Sequence, residues 1–404
     1  MAQLVERVLG KDEVPGSNPG SSSRNSTCFV AGAFLFVFPL YLERSGSVKN
    51  KAGRYILRIL CVLGVTVLMV LIFLLAGMFV ITRGPSPTAG KLFALSVRET
   101  SAVQFLANIY YSQEEIDSFY VQNVSEDKTD TSLISIPDKV KDPDYNNSSD
   151  ENPQQENSGN SGEKEKKDFE IDDVRGKTFY GKMMIVSDPS RVIVGVPDSY
   201  GSGSKGLTVM QMIDKYDAYA GINAGGFEDA NGQGTGGIPD GMVIIDGEIK
   251  WTNLGPDYAY DIVGFDFDNI LHVGRMNAAE AKAAKIRDAV TFGPALIING
   301  NPCNSSHSLG GGLNPRTAIG QRADGAVLML VLNGRQMDSL GSTYDDLVDI
   351  MLEYGAVNAS NLDGGSSSIM VCDGEYLTNS AYIFGERVIA TSFLVLKEED
   401  GHAE

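Results

Sequence analysis

Residues 59–82 form an uninterrupted apolar run, rich in Leu, Val and Ile and free of charge, and this run constrains the chain more than any other feature. At about 1.5 Å per residue a helix of this length covers the roughly 30 Å of bilayer hydrocarbon. It predicts a single transmembrane helix. Lys49, Lys51, Arg54 and Arg58 stand just before it, and Arg83 and Lys91 follow. The positive-inside rule then places the amino end in the cytoplasm. No small-residue cleavage site of A-x-A type follows the run, which predicts an uncleaved signal anchor. The expected localisation is the cell membrane, single-pass, with the carboxy-terminal domain extracytoplasmic.

Residues 1–58 are read as a cytoplasmic leader. Within it, M-A-Q-L-V-E-R and Gly16-Ser17-Asn18-Pro19 resemble the product of a translated transfer-RNA gene, so residues 1–42 are expected to reflect a start site placed too far upstream; an ordinary disordered leader is the alternative. The apolar stretch 28–42 is short of the roughly 20 residues that span a bilayer. Beyond the membrane run, residues 83–124 are read as a membrane-proximal helical spacer, with a partner-binding element as the alternative. Val103, Leu106, Ala107 and Tyr110 fall at helical spacing, and Ser112 with Glu115 forms a capping-box pattern that opens a second helix. Residues 125–168 are rich in Asp, Glu, Lys, Asn, Ser and Pro with hardly an aromatic, so they read as an acidic disordered linker that gives the outer domain reach.

Residues 169–404 mix strands and helices in irregular alternation. The pattern predicts a hairpin over 180–186 and 191–196, a helix over 208–216 and a strand over 218–223. A second hairpin turns at Asp246-Gly247, helices cover 278–286 and 343–354, and strands cover 295–298, 326–332 and 392–396. The predicted fold class is α+β, a mixed β-sheet core with flanking helices, without the strict repeat of a doubly wound fold. A net charge of -19 argues against nucleic acid as a partner. The four cysteines include no C-x-x-C pair, which excludes the usual zinc site, while Cys303 and Cys372 are candidates for pairing. Only three histidines are present. His272 follows an apolar strand as a structural residue would, and His307 stays a candidate in a Ser-rich loop, so acid and base work falls mainly to carboxylates.

Residues 358–368 read N-A-S-N-L-D-G-G-S-S-S, an apolar strand that ends in Asp363 and then in Gly364, Gly365 and the hydroxyls of Ser366, Ser367 and Ser368. Glycines there allow positive φ and close approach of a ligand. Asp-Gly between strands is also a turn signal, so the stretch alone leaves turn and site open. Its company favours a site. Asn223-Ala224-Gly225-Gly226-Phe227 repeats the design, followed by Pro239-Asp240-Gly241, Phe292-Gly293-Pro294 and Pro315-Arg316-Thr317-Ala318-Ile319-Gly320. This set, in this order over 179–396, resembles the phosphodiester glycosidase domain family. Ala224, Asn333 in place of an acid in the N-G-R turn, and Ser366 in place of a third glycine depart from the family pattern.

The resemblance implies a membrane-anchored hydrolase of glycosyl-1-phosphodiester bonds, of the N-acetylglucosamine-1-phosphodiester kind, in cell-envelope polymer or exopolysaccharide. Such chemistry must neutralise a phosphate, and a planar guanidinium does so with paired hydrogen bonds. Arg316 matches the family's P-R-T motif and Arg387 lies where the family carries a late arginine. An oxocarbenium-like state is normally managed by two carboxylates. Asp363 is the candidate nucleophile or base and Asp240 the candidate acid or metal ligand, with Glu386 in reserve. Asn223 is expected to orient a sugar hydroxyl or acetamido group, the amides around Gly225 and Gly226 to cradle phosphate, and Thr317, Gly364, Gly365, Ser366 and Arg387 to bind substrate. Asp229, Asn231, Gln233, Gly234 and Asp240 sit at offsets like those of a calcium loop, and also suit a flexible glycine loop, so a divalent cation stays open. The competing class is a non-catalytic sugar-phosphate-binding module that assists polymer assembly.

Overall fold

A computed structural model describes residues 51–100, 103–119, 128–136, 169–229, 234–303, 311–382 and 385–398. The leader up to residue 50, most of the linker, His307 and His402 lie outside the described residues. The chain divides into two compact units, Met1–Gly77 and Met78–Glu404. Helix α1 (Lys51–Arg83) contains the apolar run, and its segment Gly53–Arg83 is long and apolar enough to cross a membrane.

The second unit is α+β, as the alternation of elements predicts, and its recorded strand pairings are antiparallel. One sheet runs β1 (Phe169–Arg175), β2 (Tyr180–Val186), β13 (Val327–Leu332), β12 (Arg316–Arg322), β14 (Ala356–Leu362), β10 (Ala295–Ile298), β11 (Asn301–Pro302). A second runs β16 (Glu375–Tyr376), β15 (Met370–Cys372), β4 (Ala218–Asn223), β17 (Ser392–Leu396), β3 (Val192–Gly195). A third runs β6 (Glu248–Thr252), β5 (Met242–Ile245), β9 (Ile286–Thr291), β7 (Tyr260–Asp266), β8 (Leu271–Met276).

Strand β13 shows why the sheets stack. Its sequence V-L-M-L-V-L is apolar at every position and buried at every position, the mark of a strand covered on both faces. Side chains alternate along a strand. Val327, Met329 and Val331 therefore join the core that holds Phe265 and Phe393, while Leu328, Leu330 and Leu332 pack with Leu347 and Met351 of α7 (Tyr344–Glu353).

Local signals set most element ends. The hairpin at Asp246-Gly247 forms, with both residues at positive φ. Capping boxes open α5 (Val209–Tyr216) at Thr208 and α7 at Thr343. Helix α6 (Ala278–Ala283) is shorter than predicted, because Lys285 turns into the left-handed region and Ile286 enters β9. The predicted hairpin over 180–196 does not form. Asp188 caps a short 3-10 turn, Pro189–Arg191, after which β2 and β3 part into different sheets.

Two segments read as connectors are packed. In the membrane-proximal stretch, α2 (Pro87–Arg98), α3 (Ala107–Tyr110) and α4 (Gln113–Phe119) cluster around Ala94, Ala107, Tyr111 and Ile116, and the Ser112 and Glu115 capping bonds are both present. Residues 128–136 correct the linker expectation: Ile134 and Ile136 are buried, Ser135 N–H donates to Ala323 O at 2.8 Å, and Asp130 N–H donates to Asn299 Oδ1 at 2.7 Å. Two apolar side chains suffice to dock a stretch whose average composition is polar. His272 is structural, buried with Nε2 2.8 Å from Asp266 Oδ2. No disulfide joins Cys303 to Cys372.

Phe393 is fully buried and meets Phe265 edge-to-face at 6.2 Å. Phe393→Ala is expected to lower unfolding free energy by about 3–5 kcal/mol in urea denaturation of the detergent-solubilised chain, as large-to-small core changes do. A loss under about 1 kcal/mol contradicts the placement of this core.

Candidate active site

Three strand ends meet at one buried amide. Asn223 closes β4, Thr317 is the second residue of β12, and Asp363 follows β14, whose Leu362 pairs with Thr317. Asn223 Nδ2 donates to Asp363 O at 2.5 Å, while its Oδ1 accepts from Thr317 Oγ1 at 2.8 Å and from Ile369 N–H at 3.1 Å. Asn223 and Thr317 are wholly buried. Both expectations of substrate contact are therefore corrected: these side chains tie two sheets together beneath the site. The proposed amide cradle is corrected as well. Gly225 N–H donates to Thr391 Oγ1 at 2.9 Å and Gly226 N–H to Thr291 O at 3.4 Å, because the chain beyond β4 keeps pairing with its neighbours.

Above this clamp lies a cavity of about 590 Å³. Asp363, Asp240, Arg316, Arg387, Gly226, Gly364, Gly365 and Ser366 all line it. The structure thus brings together the two candidate carboxylates, both candidate arginines and the second glycine pair. Glu99, Asp229, Arg335, Tyr344, Phe292 and Tyr382 line it too, and were not singled out as site residues by sequence reasoning except Asp229, as a calcium ligand.

Asp363 is pushed up to about 6, chiefly by burial, with the Ser367 hydrogen bond, Arg387 and the Gly364 N–H opposing that shift and Asp229 adding to it. Asp240 is also raised, by burial first and then by Glu228 and Asp229. Its N–H donates to Gly226 O at 2.9 Å, which holds it against the end of the glycine segment. Asp229 is lowered: burial works against its charge, but Arg387 and the Gly234 N–H outweigh it.

The arginines differ in their surroundings. Arg387 pairs with Asp229, donates to Ser366 Oγ at 3.0 Å and lies 4.9 Å over the Phe227 ring. Arg316 is buried, stacked 4.1 Å over Tyr344, with Nη2 donating to Glu99 Oε2 at 2.7 Å and Gly312 O at 2.8 Å. The Glu99 carboxylate also accepts from Asn314 Nδ2 at 2.6 Å, and Ser96 Oγ accepts the Leu313 N–H at 2.8 Å. The segment around α2 is therefore a wall of the cavity, through Glu99 and Thr100. Burial works against the Arg316 charge, but Tyr344 and Glu99 outweigh it. Among the described residues no group of three or more His, Cys, Asp or Glu side chains is placed to hold a metal, and Asn231 and Gln233 of the calcium-like loop lie outside them.

Residues 216–396 match the family model described as phosphodiester glycosidase. A curated relative, the SPbeta prophage-derived uncharacterized protein YomE of Bacillus subtilis (strain 168), is 30% identical over 208 residues, 50% of this chain and 32% of the relative. The chain thus spans about a third of that relative's length. Among solved structures, the catalytic domain of zebrafish N-acetylglucosamine-1-phosphodiester alpha-N-acetylglucosaminidase, auto-inhibited by its pro-peptide, is 19% identical with a TM-score of 0.46, over 57% of this chain and 82% of that one. A Burkholderia pseudomallei K96243 protein whose name describes it as exported is 17% identical with a TM-score of 0.38, over 54% and 74%.

A carboxyl that titrates near 3.8 when unfolded and about 6 when folded keeps its proton in the folded chain across that window. The stability it contributes is fully present below the unfolded value and is lost as pH rises through about 6. Asp363→Asn removes that pH-dependent loss. The unfolding temperature of the variant minus that of the unsubstituted chain is expected to grow more positive from pH 4 to pH 8, and a pH-independent difference would falsify the assignment.

Proposed function

We propose that the chain hydrolyses glycosyl-1-phosphodiester bonds, of the N-acetylglucosamine-1-phosphodiester kind, in cell-envelope polymer or exopolysaccharide. In this reading α1 anchors it in the cell membrane and the domain lies outside. The observation that carries the reading is Asp363: a carboxyl raised to about 6 by burial, in a cavity shared with Asp240 and three arginines, inside the stretch that matches the phosphodiester glycosidase family model.

Breaking the bond between the anomeric carbon and the phosphate oxygen leaves positive charge on the sugar and negative charge on the phosphate. Ionised Asp363 acts at the sugar, either by attacking the anomeric carbon or by taking a proton from the attacking water. Asp240, which lines the same cavity and is raised by burial and by Glu228 and Asp229, is the carboxyl available to the departing phosphate oxygen. A guanidinium in the cavity stabilises the charge that builds on phosphate, and the partly buried setting strengthens that attraction. Since Asp363 works ionised, kcat/KM falls as pH drops below about 6. Divalent calcium at the loop 229–240 would have to compete with Arg387 for Asp229.

The test is turnover of an N-acetylglucosamine-1-phosphodiester by the full chain, with and without a chelator. Asp363→Asn is expected to reduce kcat by roughly 10²–10⁴-fold, as loss of a general acid or base does. An unsubstituted chain that binds the diester without turning it over would replace the hydrolase by a binding module, and one that does neither would end both readings. A chelator is expected to leave the rate unchanged; loss of activity restored by calcium would assign a cation to the loop.

A further inference from the structure

Two of the three cavity arginines are closed by carboxylates, Arg316 by Glu99 and Arg387 by Asp229. The third, Arg335, forms no ion pair among the described residues. Its Nε and Nη2 rest on Asn314 Oδ1 at 3.3 and 3.0 Å, and Nη2 reaches the backbone oxygen of Glu99 at 3.4 Å. One edge of the fork is thus pinned by neutral oxygens, and no carboxylate among the described residues is within ion-pair distance of it.

The backbone is shaped for this placement. Arg335 itself sits at φ 57, in the left-handed region, where its N–H donates to Leu340 O at 3.1 Å across the turn. Opposite it, Gly365 has φ +62, and a Cβ there would come within 3.2 Å of both Nη1 and Nη2. The glycine after Asp363-Gly364 is therefore what lets the guanidinium lie against the end of β14. Burial, and after it the neighbouring Arg316, pull the Arg335 pKa below its ordinary value, while Glu99 and Asp363 oppose this. A partly desolvated cation beside a second cation, without its own carboxylate, is unfavourable until an anion arrives.

We infer that Arg335 is the group that meets the phosphate of the substrate, a singly charged phosphodiester, and that the Arg316 and Glu99 pair stays closed as the wall beside it. This rests on the reading of the cavity as a phosphodiester site. The planar fork suits two phosphate oxygens, and its position against Gly365 brings the phosphate to the same strand end as Asp363. Arg316, already engaged by Glu99, Gly312 O, Ser342 O and the Tyr344 face, has its fork committed within the protein.

The experiment uses the full chain in detergent, titrated calorimetrically with inorganic phosphate and assayed with the N-acetylglucosamine-1-phosphodiester. Arg335→Asn keeps a residue that tolerates positive φ and removes the guanidinium. It is expected to raise the phosphate Kd and the diester KM together by about tenfold or more, with Arg335→Lys recovering part of the loss, as removal of a charged hydrogen-bond donor predicts. Unfolding temperatures close to that of the unsubstituted chain separate this effect from misfolding. Lys250→Gln, on the exposed strand β6 and outside the cavity lining, is expected to leave phosphate Kd within about twofold. Unchanged phosphate affinity in Arg335→Asn overturns the inference, and so does an unsubstituted chain that binds no phosphate. A tenfold tightening in Glu99→Gln also overturns it, by showing that Arg316 takes the anion and Glu99 competes. If phosphate binds as expected but no diester is turned over, the hydrolase reading fails while the assignment of Arg335 stands.

Discussion

The side-chain amide of Asn223 holds the site together. It sits at the end of a strand in one sheet and bonds to Asp363 O and Thr317 Oγ1 in another, and to Ile369 N–H on the segment that leads into β15. Buried polar groups without partners are costly, about 1–3 kcal/mol each. Sliding either sheet would strand several at once. That penalty fixes where β14 ends, and so where the Asp363 carboxyl and the glycines after it emerge. An amide suits the position because it donates and accepts together; an acid or an aliphatic side chain would satisfy only part of this set.

Charge is the second constraint. Glu99, Asp229, Asp240 and Asp363 face Arg316, Arg335 and Arg387 across one cavity, so anion binding depends on which charges are already matched. The membrane-proximal segment enters this balance through Glu99, with Ser96 pinning it to the loop before Asn314. Gly312 has no room for a Cβ, which would meet the Ser96 backbone at 2.1 Å. The contact is therefore close-packed, and the segment between the membrane run and the domain is part of the site's chemistry. The domain cannot be understood from residue 169 onward alone.

Much of the fold was legible because its signals are local. Asp246-Gly247 turns a hairpin, Ser112 and Glu115 open α4 as their capping-box pattern predicts, and the apolar run of β13 reads as a strand. The end of β14 in Asp363 and glycines was legible for the same reason. What failed depended on distant parts of the chain. Asp188-Pro189 turns the chain in the same way whether the flanking strands pair or part, so β2 and β3 looked like a hairpin. Ile134 and Ile136 vanish into a polar average although they dock residues 128–136. Asn223 and Thr317 read as ligand contacts because polarity at a strand end has two uses, and only the neighbouring sheet decides between them. Arg335 stands in an N-G-R turn without the family pattern's acid, so its guanidinium carries no signal of its own, and nothing in the sequence around Glu99 indicates that it reaches Arg316.

The most direct measurement is an experimental structure of the full chain with a non-hydrolysable sugar-1-phosphonate bound. The account predicts the phosphonate against Arg335 and Gly365, the anomeric carbon turned to Asp363, and the Asn223 amide still joined to Asp363 and Thr317. A ligand seated outside this cavity, or a bound state in which Asn223 has let go of either partner, would contradict it.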